Sequence, residues 1–182
     1  VEPSIRFAET IPEHFEVLNS PLNEIPLPDG EADAVACLAA LHHVEDRRGV
    51  FDEWERLLKP GGRMVLADVE EGQGNGAFLN TIVDRFTPGG HAGVFLKPGE
   101  LTEEFRQRGY SDVLEANEDV SWRFANRESA VDFARNIFGM VNAEDDEIGS
   151  GIDAFIPTFE DGDEVKLPWS LRFMSARKPT EV

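Results

Sequence analysis

His42 and His43 are adjacent and follow the apolar run Ala34-Val35-Ala36-Cys37-Leu38 after Ala39, Ala40 and Leu41. Imidazole changes charge near neutrality, so this pair is the first place to look for proton transfer. His43 is the candidate general base. The competing reading is that its ring hydrogen-bonds the loop and positions the helix that follows. His14 and His91 are isolated in sequence, and no H-x-E or H-E-x-x-H pattern occurs. No metal site is therefore expected. Cys37 is the single cysteine, which excludes an intramolecular disulfide and any multi-cysteine zinc site and fits a reducing cytoplasm. Arg123, Arg127 and Arg135 are candidates for holding a carboxylate-bearing substrate, against a default of solvated or ion-paired surface arginines.

The elements that must position these residues read as alternating strands and helices. Ser4 can cap a brief helix, and Phe15 to Leu18 is a short apolar run expected to be a buried strand. A turn at Pro26, Pro28, Asp29 and Gly30 leads into a second strand over Ala34 to Leu38, apolar on both faces. Asp46 caps a helix from Arg47 to Leu58, in which Val50, Phe51, Trp54, Leu57 and Leu58 recur at helical spacing. Pro60-Gly61-Gly62 stops it, and a third strand runs from Arg63 to Val69. Strand, helix and strand in that order form a right-handed crossover, so the class is α/β with a mostly parallel sheet.

Further along, Phe78 to Phe86 and Pro98 to Arg108 read as helices, and Ser111 to Phe124 and Val165 to Ala176 as strands. The span 127–162 is long for a connection and is expected to be an inserted helical cap, with 1–126 plus 163–182 forming the core. Its Phe133, Phe138, Met140, Phe155 and Phe159 would line a lid or bury the cap against the sheet.

Several motifs occur in one order: Ile25-Pro26-Leu27-Pro28-Asp29-Gly30, Ala32-Asp33-Ala34-Val35, Leu41-His42-His43-Val44-Glu45-Asp46, and Glu53 through Arg56-Leu57-Leu58-Lys59-Pro60-Gly61-Gly62-Arg63-Met64-Val65-Leu66. Together they resemble the class I S-adenosylmethionine-dependent methyltransferases of the type 11 group, closely over Phe15 to Val69 and more loosely toward Gly109-Tyr110 and Trp169 to Lys178. The resemblance implies a Rossmann-like, mostly parallel sheet with helices on both faces and an antiparallel C-terminal strand. It implies S-adenosylmethionine as cofactor and a small molecule as methyl acceptor. Glu2 matches the ribose-binding acid, Pro21 and Leu22 the adenine-pocket pair, Leu38 and Ala39 the end of the fourth strand, and His43 the position beside the methionine portion of the cofactor. Pro21 stands where relatives carry an acidic residue, so the adenine amino group would need a backbone carbonyl. His91, in Gly89-Gly90-His91-Ala92-Gly93, and Arg123 are assigned to the substrate mouth.

The family's glycine-rich loop, with the first strand, helix and second strand, would precede Val1 and has no counterpart in the sequence. Gly72-Gln73-Gly74-Asn75-Gly76 follows a strand, but the Lys-Pro-Gly-Gly signal upstream marks that strand as the fifth, so a surface loop is expected there. Without the first unit, Ala34 to Leu38 would expose an apolar edge. Either an upstream strand-helix-strand unit or a second copy of the chain is expected to cover it. The alternative to an enzyme is a non-catalytic relative acting as a binding or dimerisation partner.

Of the 182 residues, 36 are acidic and 17 basic, for a formal charge of −19. Such a field repels phosphate backbones and anionic lipid, so neither nucleic acid nor a membrane is an expected partner. The basic residues divide into thirteen Arg and four Lys, and an acidic, lysine-poor composition fits a salt-rich cytoplasm. No apolar run reaches the roughly 20 residues of a spanning helix, so a cytoplasmic location is expected.

Overall fold

A computed structural model describes residues 1–180. In chain order the elements are α1 (Ile5–Ala8), β1 (Ala32–Leu38), a 3-10 turn (Leu41–His43), α2 (Arg47–Leu57), β2 (Leu58–Asp68), α3 (Gly74–Phe78), a π-turn (Leu79–Val83), α4 (Asp84–Phe86), α5 (Glu100–Gln107), β3 (Ser111–Asp119), β4 (Trp122–Phe124), α6 (Arg127–Phe138), α7 (Asp145–Phe155), β5 (Phe159–Asp161), β6 (Glu164–Leu167) and β7 (Ser170–Arg177).

The main sheet has the order β1-β2-β7-β3. β1 pairs with β2 in parallel, and β7 is antiparallel to both of its neighbours. Three strands therefore share one direction and the last strand of the chain runs against them, as the sequence implies. β4, β6 and β5 make a second, small antiparallel sheet.

Period-2 alternation in the central strands sends their side chains into two cores. Met64 and Leu66 of β2 and Met174 and Ala176 of β7 face a core with Val50, Phe51, Trp54 and Leu57 of α2 and Leu101 and Phe105 of α5. Ala67, Val69 and Leu171 face the other, with Phe78, Ile148, Ile152 and Trp169. Each large side chain removed from water this way contributes about 1.5–3 kcal/mol. α2 starts as expected, with Asp46 Oδ1 accepting the Gly49 N–H at 3.0 Å.

Four expectations are corrected. Phe15 to Leu18 is not a strand: its one ladder-like bond is Glu2 N–H to the Leu18 carbonyl at 3.0 Å, and Phe15 is exposed, because no strand lies beside it to complete a ladder. Pro60-Gly61-Gly62 does not separate helix from strand, since β2 begins at Leu58 directly after α2 and carries these residues within it. The predicted long strands are each broken in two, at 120–121 and 168–169, where the chain leaves the main sheet for the small one. Finally, the stretch Gly72 to Gly76 is not a surface loop. Its second half is the start of α3, and a Cβ on Gly74 would lie 2.1 Å from the Phe155 carbonyl oxygen, so glycine there permits close approach to α7.

Residues 127–162 contain α6, α7 and β5. These helices share their core with α3, β2 and Trp169. Among the described residues no helix is long and apolar enough to cross a membrane.

β1 is an edge strand whose outer backbone edge has no partner among the described residues. Val35 and Cys37 pack toward α2, whereas Ala34, Ala36 and Leu38 on the opposite side are exposed, Leu38 at 67%.

Candidate functional site

A cavity of about 1050 Å³ runs along β1 from Ala32, over Val50, Trp54 and Leu57 of α2, to the carboxyl end of the strand. In open α/β sheets this is the end at which ligands collect. The cavity is bounded by residues 1–4, by Pro21, Leu22 and Asn23, by β1 through Ala40, and by His43, Val44 and Asp46. Glu2, Pro21, Leu22, Leu38, Ala39 and His43, read from separate parts of the sequence, all line it.

The segment carrying Glu2 is fixed by backbone. Glu2 N–H bonds Leu18, and the Asn19 side-chain amide donates to the Glu2 and Pro3 carbonyls at 2.8 and 3.0 Å. The Glu2 carboxylate accepts the Ser4 N–H on Oε1 at 2.8 Å, which leaves Oε2 for a ligand. Pro21 offers no side-chain acceptor, but the next polar side chain on the wall, Asn23, has an amide that both donates and accepts. Leu22 and Leu38 supply apolar faces, and Ala39 turns the chain out of β1 with φ 50. A nucleoside needs a hydroxyl-binding carboxylate, an amide and an apolar wall, and the residues present fit one. Cys37 also borders the cavity, and burial, followed by the Asp68 carboxylate, pushes its thiol up to about 11.

Past Ala39 the chain makes the 3-10 turn that carries both histidines. β2 ends alongside it in the fully buried Asp68. Asp68 Oδ1 lies 2.6 Å from His42 Nδ1 and accepts the Val69 N–H at 2.7 Å, while Oδ2 accepts the His42 backbone N–H at 3.1 Å. An acceptor-only carboxylate takes a proton from Nδ1, so the His42 lone pair is on Nε2.

A third imidazole joins from the 89–95 loop. Val94 N–H bonds the His42 carbonyl at 2.9 Å, and Arg47 ties the Leu41 and Val94 carbonyls together while pairing with Glu100 at 2.7 Å. Asp84 Oδ1 accepts the His91 N–H at 2.7 Å, and Asn80 Oδ1 lies 2.9 Å from His91 Nδ1. The ring centroid of His91 is 5.2 Å from that of His42 and 5.0 Å from that of His43. Gly93 is needed here, because a Cβ would sit 2.9 Å from the His91 ring and 2.8 Å from Phe95.

Partial desolvation of the ring, reinforced by the neighbouring His42, holds His43 below the ordinary imidazole value although the residue as a whole is exposed. The same two causes, with His43 added, bring His91 down to about 4. Both rings are neutral at pH 7, the form that accepts a proton.

The structure thus brings His91 beside His43, but of the two only His43 lines the cavity, so the expectation that His91 lines the substrate mouth is not met. Arg123 is elsewhere: it lies on β4, 2.9 Å from Glu164 and 3.2 Å from Asp161, and does not line the cavity. Arg127 pairs with Asp153 and Arg135 with Asp145, so these too are engaged at the surface. Sequence reasoning missed Asn23, Asp68 and Asn80. For Asp68 a signal existed, since an apolar strand running Met64-Val65-Leu66-Ala67 stops on a carboxylate at the ligand-bearing edge.

Residues 3–66 match the family described as "Methyltransferase domain". The 27-O-demethylrifamycin SV methyltransferase of Amycolatopsis mediterranei is 47% identical over 45 residues, 25% of this chain and 16% of its own length. The dimethylglycine N-methyltransferase of Parasynechococcus marenigrum is 27% identical over 180 residues, covering 92% of this chain and 58% of its own length. The chain therefore spans less than two thirds of these curated relatives. Among solved structures, a SAM-dependent methyltransferase of Thermotoga maritima superposes with a TM-score of 0.60 at 17% identity, over 97% of this chain and 71% of the other. The chain shares the Rossmann-like α/β fold of this solved structure, and residues 3–66 carry the sequence pattern of the "Methyltransferase domain" family.

Proposed function

Starting from that fold, we propose that the cavity at the end of β1 binds S-adenosylmethionine and that the protein methylates a small-molecule acceptor entering past His43 and His91. The observation that carries this reading is the convergence of Glu2, Pro21, Leu22, Leu38, Ala39 and His43 on one cavity. The cofactor supplies, when bound, a methyl group activated by a sulfonium. Glu2 accepts from the ribose hydroxyls through its free oxygen, and Asn23 meets the adenine edge that Pro21 cannot. Leu22 and Leu38 cover the base. A net charge of −19 favours a cationic ligand over an anionic one.

Methyl transfer asks for in-line positioning and a water-poor site more than for covalent help. Neutral His43 accepts the proton that an oxygen or nitrogen nucleophile loses. The relatives named above carry the words O-demethylrifamycin and dimethylglycine, both small molecules, which supports that acceptor class and leaves the attacking atom open.

A second reading is favoured by the unpartnered edge and exposed apolar side of β1. In it, the chain is a non-catalytic methyltransferase-like partner, and a second copy covers that edge. Calorimetric titration with S-adenosylhomocysteine separates the two. Micromolar binding that weakens at least tenfold in Glu2→Ala supports the enzyme. Absence of binding, with the upstream strand-helix-strand segment restored, supports the partner.

A further inference from the structure

We propose that His42, His43 and His91 form a binding site for one zinc-type transition-metal ion. Their ligand nitrogens lie within 4.8 Å of one another. Tetrahedral Zn²⁺ with Zn–N bonds of about 2.0–2.1 Å needs nitrogens about 3.3 Å apart, so the rings must close by up to about 1.5 Å. Two of them have room to do so. His43 is exposed on a short turn, and His91 sits in a loop containing Gly89, Gly90 and Gly93.

The stronger argument is the set of groups behind the rings. Metal-bound histidines donate their other ring N–H to a carboxylate or carbonyl, which fixes the tautomer and aims the lone pair. His42 has this arrangement in Asp68, fully buried and 2.6 Å from Nδ1. His91 has it in Asn80. The orientation of that amide is set independently by the Gly93 backbone, whose carbonyl accepts from Nδ2 at 2.8 Å and whose N–H donates to Oδ1 at 2.8 Å. Asn80 therefore presents oxygen to His91 Nδ1, at 2.9 Å, and the lone pair of His91 is on Nε2. Two of three imidazoles are thus pre-set as Nε2 donors, on rings whose centroids are 5.2 Å apart. Three imidazoles suit Zn²⁺, Co²⁺ and Ni²⁺ better than Mg²⁺ or Ca²⁺, which require oxygen. Three protein ligands leave a fourth position for water or a ligand heteroatom, and because the metal takes the His43 lone pair, the metal-loaded form no longer has His43 as a proton acceptor. Because the ligands are all side chains of this chain, the site needs no methyl donor to form.

The test uses chelator-stripped protein at pH 7.5, titrated with Co²⁺ under visible spectroscopy and then with Zn²⁺ in competition with a chromophoric chelator. The expected result is one Zn²⁺ per chain with a Kd below about 10 μM, displacing a tetrahedral Co²⁺ spectrum. His43→Gln and His91→Gln should each weaken binding by about 100-fold, and Asn80→Ala by about 10-fold. His14→Gln, at the remaining histidine, should change nothing. Circular dichroism checks that each variant is folded, and exposed His43 is the substitution most easily tolerated. A Kd above about 10 μM, or binding that survives both His43→Gln and His91→Gln, overturns the proposal, the latter by placing the ion on the acidic surface.

Discussion

The Asp68 carboxylate grips His42 twice, with Oδ1 2.6 Å from the ring Nδ1 and Oδ2 3.1 Å from the backbone N–H of the same residue. One buried side chain at the end of β2 thereby sets both the path of the 3-10 turn and the tautomer of its first imidazole. Removing it would leave the His42 N–H, the Val69 N–H and a ring nitrogen without their acceptor. Asp68→Ala should destabilise the fold by about 3 kcal/mol and Asp68→Asn by less, measured by urea denaturation.

Cys37 stands where burial and Asp68 both oppose its thiolate, with its pKa raised from 9.0 to about 11. A group raised in this way stays protonated through the physiological range and ionises only as pH climbs toward 11. At pH 8 its reaction with a maleimide should therefore be about 100-fold slower than that of free cysteine, rising tenfold per pH unit up to pH 10. Because Cys37 borders the cavity, S-adenosylhomocysteine should slow labelling further, as mass spectrometry can follow.

Gly74 lies where a Cβ would meet the Phe155 carbonyl at 2.1 Å. Backbone cannot rotate away as a side chain can, so the gain in helix propensity is outweighed. Gly74→Ala should lower stability by about 2 kcal/mol, read from the denaturation midpoint.

Arg123 is about half exposed and pairs with carboxylates that are themselves exposed. Arg123→Ala should cost less than about 1 kcal/mol and leave the affinity for S-adenosylhomocysteine unchanged. A substrate-binding role would instead appear as a raised KM for the acceptor.

How legible all this was in the sequence differs by region. β1, α2 and β2 could be read because their apolar periodicity is strong and Asp46 caps the helix in the usual way. The antiparallel direction of β7 followed from resemblance and not from periodicity, since alternation in Trp169, Leu171 and Phe173 says only that a strand exists. Phe15 to Leu18 misled because an apolar run has strand propensity whether or not a neighbour is present to pair with it. Glycines at 74 and 76 misled for a related reason: their function is in tertiary contact with Phe155 and Phe95, which no local pattern reports.

The site was half visible. Residues 2, 21, 22, 38, 39 and 43 were named from motif order, and the structure places them on the lining of one cavity. The histidine cluster was not, because two of its rings are neighbours in sequence and the third arrives on a loop after an intervening helix, strand and helix pair. Asp68 and Asn80 escaped because a single acid or amide acquires meaning only from what it faces.

The central claim, that the cavity at the end of β1 is a nucleoside site, is tested most directly by NMR of the ¹⁵N-labelled protein titrated with S-adenosylhomocysteine. Saturable shifts concentrated on the amides of Glu2, Leu22, Leu38, Ala39 and His43 are the predicted result. No shifts at millimolar ligand, or shifts confined to residues remote from β1, would contradict it.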